Sequence, residues 1–180
     1  MYEYERAGTL RRVVRRTAGI RLMAAIYIRI QVPVDRFVYR LTRGRTTLSS
    51  ALSGLPVVML TTTGARTGAA RTQPVLGIPD GEALVVIASN YGQPRTPAWC
   101  HNLRVDSQAS VTIRGVTRPV QARELEESEG ERWLARGIEM YPPFEQYRRW
   151  AAPRRLPVIR LEPAQDAWVT SAANVSNAAM

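Results

Sequence analysis

Between Pro56 and Pro74 the chain reads PVVMLTTTGARTGAARTQP, a stretch that gathers residue types suited to binding an anion. An apolar run (Val57, Val58, Met59, Leu60) passes through Thr61, Thr62 and Thr63 to Gly64. Arg66, Thr67, Gly68 and Arg71 follow, and a second extended run covers Thr72 to Ile78. The pattern predicts a hairpin with a basic, hydroxyl-rich rim. Glycine at 64 and 68 admits positive φ and would let backbone N–H groups converge on a ligand. Arg66 and Arg71 offer forked guanidinium donors that match phosphate or carboxylate oxygens. The motif is not a P-loop, which places a lysine after its second glycine, because the chain has no lysine at all. A plain solvated turn between two strands would carry much the same residues.

Composition narrows the choice. The 180 residues suffice for one domain with a real core. All 25 basic residues are arginine, and against 15 acidic residues they leave a net charge of +10, which favours anionic partners: nucleic acid, anionic lipid or an acidic cofactor. The single cysteine, Cys100, excludes an internal disulfide, and the single histidine, His101, would have to serve any Ser–His–Asp site. Too few Cys and His remain for a structural zinc site, so no metal is expected.

These side chains must be carried by something. Leu10 to Val32 reads as a basic amphipathic helix, with Arg11, Arg12, Arg15 and Arg16 in an arc of roughly 140°. Arg21 and Arg29 interrupt its apolar run, which argues against a membrane-spanning helix, and no cleavage site follows it to mark a signal peptide. It suits either an anionic membrane surface or its own domain. Pro33 ends it, and Asp35 caps a second short helix to about Arg43. Gly44 to Gly54 is a loop. After the hairpin, Pro79-Asp80-Gly81 is a turn and Ala83 to Ser89 a buried strand, so the first three strands form an antiparallel meander. Asn90 to Arg95 is a loop; Thr96 then caps a helix with Pro97 in its first turn, and Trp99, Asn102 and Leu103 share a face of it. Ser110 to Arg114 and Val116 to Leu125 are strands about a Gly115 turn, residues 126–140 a helix broken at Tyr141-Pro142-Pro143, PFEQYRRW a short helix, and Leu156 to Leu161 the last strand. Six short strands with few helices between them, and no G-x-G-x-x-G, point to an α+β, mainly antiparallel barrel rather than a doubly wound sheet. The expected division is an N-terminal helical extension (residues 1–55), a barrel domain (56–163) and a disordered tail (164–180).

Taken together, LTTTGARTGAARTQP, VVIASNYG, PAWCHNL and MYPPFEQYRRW, in this order and spacing, resemble the deazaflavin-dependent nitroreductase family of actinobacteria. The likeness runs from about Pro56 to Pro163. It implies a split β-barrel of the FMN-binding kind that binds coenzyme F420 and passes a hydride to a quinone-like or nitroaromatic acceptor. On the matching positions, Thr63, Gly64, Arg66, Thr67 and Arg71 would meet the phosphate and tail of the cofactor. Gln73 and Pro74 would face its ring, Ala88, Ser89 and Asn90 would close over it, and Pro97, Trp99 and Asn102 sit in the PxWxxNL helix of the family. Trp99 also reads as an ordinary core aromatic. Leu76, Tyr141, Phe144 and Tyr147 match the substrate wall, with Ser89 and Tyr141 as hydrogen-bond donors to the reduced acceptor. Two positions depart from the family: Phe144 lacks a hydroxyl that the family carries there, which counts against reduction of bicyclic nitroimidazoles, and Leu76 replaces a tyrosine. Three other classes are compatible with the residues: a non-catalytic binding module for a tailed anion, an FMN-dependent reductase on the same barrel, and a nucleic-acid binder. The last has no aromatic stacking platform interleaved with its arginines. The cytoplasm, at the inner face of a membrane if residues 10–32 dock there, is the expected location.

Overall fold

The computed structural model describes residues 55–164 together with Val34, Phe37 and Val38. Those three are helical, so Val34 is already in a helix one residue before the Asp35 expected to cap it. The helix expected over residues 10–32, the loop expected over residues 44–54 and the tail from 165 lie outside the described residues.

Six antiparallel strands close into a barrel in the order β1-β2-β3-β6-β5-β4. They are β1 (Val57–Thr63), β2 (Ala70–Asp80), β3 (Ala83–Ile87), β4 (Gln108–Ile113), β5 (Val116–Glu124) and β6 (Val158–Pro163). Three helices accompany them: α1 (Ala98–Val105), α2 (Glu127–Met140) and α3 (Pro143–Ala151), with a short 3-10 turn at Asn90–Gly92. The α+β barrel expected from the sequence is therefore present, and the meander β1-β2-β3 holds. What closes the barrel is β6, which pairs with β3 on one side and β5 on the other.

Side chains alternate between two cores, as the period of two in a strand requires. Val58, Leu60, Leu84, Val86, Val111, Val120, Ile159 and Leu161 point inward, and Trp99, Cys100 and Leu103 of α1 pack with them. Ile78, Val85, Ile87 and Val158 point outward and are covered by Leu134 and Met140 of α2 and by Phe144, Tyr147 and Ala151 of α3. All five residues of β3 are buried because both its faces are covered.

Helix α1 corrects one expectation. Pro97, not Thr96, is the N-cap; it is extended at φ −64°, ψ 147° and no side chain caps the helix. Because Pro97 is itself extended, helical dihedrals begin only at Ala98, and Thr96 lies one position too early to cap the first-turn amides.

Candidate functional site

Strand β2 has eleven residues, yet β3 pairs only with its last four, Gly77–Asp80. The other half, Ala70–Leu76, pairs with β1 alone. Pro74, which has no N–H to offer a neighbour, lies in this half. The chain leaving β3 runs through the 3-10 turn into α1, so the Ala70–Leu76 edge of β2 has no strand partner on its β3 side.

At one end of this edge the β1–β2 hairpin turn is fixed from within. Gly64 donates its N–H to Ala69 O (2.9 Å), and its carbonyl accepts from the N–H groups of Thr67 (3.0 Å) and Gly68 (2.8 Å). The Ala65 N–H donates to Asn102 Oδ1 (3.0 Å), and the Ala69 N–H to Thr67 Oγ1 (3.4 Å). Gly68 takes the positive φ expected of it (64°), whereas Gly64 does not. Gly64 is needed for closeness instead: a Cβ there would lie 3.0 Å from Ala69 O and from Thr67 Oγ1. The backbone amides expected to converge on a ligand are thus largely spent inside the turn. What the rim presents outward is side chains. Thr63, Arg66 and Arg71 are exposed, and neither arginine forms an ion pair among the described residues.

Asn102 and Trp99 stand behind this rim. Asn102 is buried and also donates from Nδ2 to Thr62 Oγ1 at 2.9 Å, tying α1 to the end of β1. Trp99 is 6% exposed within the inner core, as an ordinary packing aromatic would be. Pro97 accepts the Cys100 N–H at its carbonyl (3.0 Å). Burial pushes the Cys100 thiol up to about 11, against the opposing pull of the Arg104 charge.

Gln73 lies in the open half of β2, opposite Leu60 and on the same inward face. Its side-chain Nε2 is buried and has no hydrogen-bond partner. A buried amide donor left unmet costs about 1–3 kcal/mol, so this position is poised for an acceptor.

The loop after β3 carries Ala88, Ser89 and Asn90. Ala88 is fully buried, and Ser89 and Asn90 are half-buried. Asn90 and Tyr91 have positive φ (48° and 53°), a conformation Asn tolerates and Tyr rarely adopts. Asn90 Nδ2 donates to Arg95 O at 2.8 Å and to Gln93 Oε1 at 3.3 Å. The Ser89 hydroxyl makes no capping bond to the turn that follows it. Gly92, at φ 76°, lies so close to α3 that a Cβ would stand 2.9 Å from Trp150 Cβ.

The far wall is aromatic. Leu76, Tyr141, Phe144 and Tyr147 fall in one apolar cluster with Tyr91 and Trp150, so the four residues matched to a substrate wall are brought together. Phe144 (4% exposed) and Tyr147 (2%) form its back layer, with Leu76 and Tyr141 half-buried in front. The Tyr141 and Tyr147 hydroxyls are 3.2 Å apart, and Tyr141 meets Phe144 edge-on at 5.2 Å between centroids.

Arg154 was not singled out in the sequence. It follows α3 in AAPRRLP, where two adjacent arginines between prolines give no sign of which one is used. Its guanidinium reaches back to the carbonyls of Ala88, Ser89 and Gln93. Partial burial lowers its pKa, partly offset by the nearby Cys100.

Among the described residues no group of His, Cys, Asp and Glu could hold a metal, and no helix is long and apolar enough to cross a membrane.

Comparison with known proteins supports the family expected from the sequence. Residues 31–163 match the family described as F420H(2)-dependent quinone reductase. An F420H(2)-dependent quinone reductase of Mycobacterium tuberculosis is 38% identical over 90 residues, covering 47% of this chain and 59% of the relative, so the chain spans less than two thirds of that protein. A second M. tuberculosis protein, named "Putative F420H(2)-dependent quinone reductase", is 30% identical over 109 residues, 61% of this chain and 91% of its own length. Among solved structures, an F420-H2 dependent reductase (FDR-A) superposes with a TM-score of 0.55 at 34% identity, covering 59% of this chain and 94% of that one.

Proposed function

The chain belongs to the F420H(2)-dependent quinone reductase family, and from that premise we propose that it uses coenzyme F420 to reduce a quinone-like or nitroaromatic acceptor. What supports the reading is the half of β2 that has no β3 partner: it runs from Arg71 of the basic rim to Leu76 of the aromatic cluster and includes Gln73, whose buried Nε2 has no hydrogen-bond partner. A ligand with an anionic tail and a flat, acceptor-bearing head fits that sequence of surfaces.

Reduced F420, when bound, supplies the hydride; the protein has no need of a nucleophile. The residues divide the remaining work. Arg66 and Arg71, with the hydroxyls of Thr63 and Thr67, hold the anionic tail. Gln73 donates to a ring carbonyl or nitrogen, and Pro74 lies beside it on the strand. The loop of Ala88, Ser89 and Asn90 closes over the head. Pro97, Trp99 and Asn102 act on the cofactor through α1: Trp99 packs the inner core and Asn102 fixes the turn that carries Arg66. Leu76 and Tyr141 face the acceptor, backed by Phe144 and Tyr147. The Ser89 and Tyr141 hydroxyls would donate to the oxygen that gains charge as the acceptor is reduced, with solvent as the final proton source. Because Phe144 is buried and lacks a hydroxyl, quinones are favoured over bicyclic nitroimidazoles. A lipid quinone would also suit docking of residues 10–32 at an anionic membrane surface, which co-sedimentation with anionic vesicles tests; no retention by the full chain would remove that part.

The decisive experiment follows oxidation of reduced F420 by absorbance with menadione as acceptor, beside NADPH and reduced FMN. Turnover with the deazaflavin alone is expected. Binding without turnover would make the chain a cofactor carrier, and no binding would end the F420 reading.

A further inference from the structure

We propose that Arg154 is a positioning residue that sets the shape of the Ala88–Gln93 loop and so the approach of Ser89 and Asn90 to the cofactor; the inference rests on the function proposed above. Its guanidinium makes five hydrogen bonds, all to backbone carbonyls. Nη1 donates to Ala88 O (3.1 Å) and Arg155 O (3.2 Å), Nη2 to Ser89 O (3.0 Å) and Gln93 O (2.8 Å), and Nε to Gln93 O (3.3 Å). A guanidinium has five N–H donors in a fixed plane, so none is left over, and no carboxylate pairs with it among the described residues.

The loop needs such an anchor. Asn90 and Tyr91 are held in the left-handed region, a conformation that persists only where the surroundings over-determine it. Tyr147 and Trp150 press on it from one side at Gly92, while Arg154 grips its carbonyls at both ends. The grip spans 61 to 66 residues of sequence and ties the post-β3 loop to the segment just after α3, the helix that carries Phe144 and Tyr147. The Ser89 hydroxyl makes no capping bond in the turn, so the shape of the loop rests on its backbone contacts. Lysine could supply the charge but not the planar fork.

The test compares wild type, Arg154→Lys and Arg154→Ala by two readouts. The first needs no ligand: amide hydrogen exchange, where protection of residues 88–93 should fall in both variants while that of β3 and β6 persists. The second is the dissociation constant for oxidised F420 and the kcat with menadione. We expect the constant to rise roughly tenfold or more in Arg154→Lys, with kcat falling by a similar or larger factor, the scale expected when a reacting group is displaced by an ångström. Exchange unchanged at residues 88–93, or full activity and affinity in Arg154→Lys, would overturn the positioning role. Wild type that fails to bind F420 would instead overturn the proposed function, and the exchange result would still decide whether Arg154 shapes the loop. If Arg154→Ala does not fold, the lysine variant carries both readouts.

Discussion

Asn102 and Thr62, forty residues apart in sequence, are joined in the barrel interior by a 2.9 Å hydrogen bond from the asparagine Nδ2 to the threonine Oγ1. The same amide accepts the Ala65 N–H through Oδ1 at 3.0 Å. Asn102→Leu strips both partners at once, and we expect it to destabilise the fold by about 1–3 kcal/mol in urea denaturation, because buried donors and acceptors are left unmet. In a cycle with Thr62→Val the two effects should couple by about 0.5–1.5 kcal/mol. Strictly additive effects would show that the bond contributes nothing.

Arg66 and Arg71 are exposed and make no ion pair among the described residues, so replacing either by alanine should change stability by less than about 0.5 kcal/mol. Each should nonetheless weaken F420 binding by roughly tenfold and flatten its salt dependence, since the lost contact is charge-assisted and screened by salt. Fluorescence titrations at two ionic strengths read both effects. Unchanged affinity in the double variant would move the anionic tail elsewhere.

Tyr141→Phe removes a hydroxyl 3.2 Å from that of Tyr147 while leaving the ring that packs on Phe144. Thermal stability should hold, and turnover of menadione should drop by about tenfold to a hundredfold if the hydroxyl donates to the reduced acceptor. Wild-type turnover would leave Ser89 as the remaining donor.

The Cys100 thiol, ordinarily near 9, is pushed up to about 11 in the folded protein by burial. Its folded value exceeds its unfolded one, so the folded state keeps a proton that the unfolded state gives up. Stability from this group is fully present below about pH 9 and is lost as pH rises from there toward 11. The loss is on the order of 2 kcal/mol. Cys100→Ala should cost some packing at neutral pH yet remove that alkaline slope, which urea midpoints at pH 8 and pH 10.5 would resolve.

Much of the barrel was legible because its signals are local. Val57 to Thr63 and Ala83 onward announce strands by their apolar, β-branched residues, and Gly81 and Gly115 announce turns, although Pro79 and Asp80, read as part of the first turn, stay in β2 and the strand read to Ser89 ends at Ile87. Closure was not, since nothing in LPVIRL says that β6 inserts between β3 and β5; pairing partners are chosen by the whole chain. The site divides the same way. Arg66 and Arg71 stood out as donors from composition alone, whereas the spent backbone amides of their turn follow from the seating of Gly64 against Ala69. The proline before Ala98 displaced the cap expected at Thr96. Arg154 could not be told from Arg155, because its importance lies in carbonyls more than sixty residues upstream, and carbonyls leave no mark on sequence.

The insertion of β6 also fixes an order of events during synthesis. Chains emerge from the ribosome N-terminus first, and domains tend to fold as units once their parts are available. β1 to β5 can leave the exit tunnel while the sheet still has two unpaired margins, at β3 and β5, awaiting the last strand. Arg154 emerges only a few residues before β6. Sealing of the barrel and setting of the Ala88–Gln93 loop therefore belong to the same late moment of translation. A nascent chain stalled before residue 154 would carry the basic rim and the aromatic cluster yet lack both the closing strand and the anchor of the loop after β3.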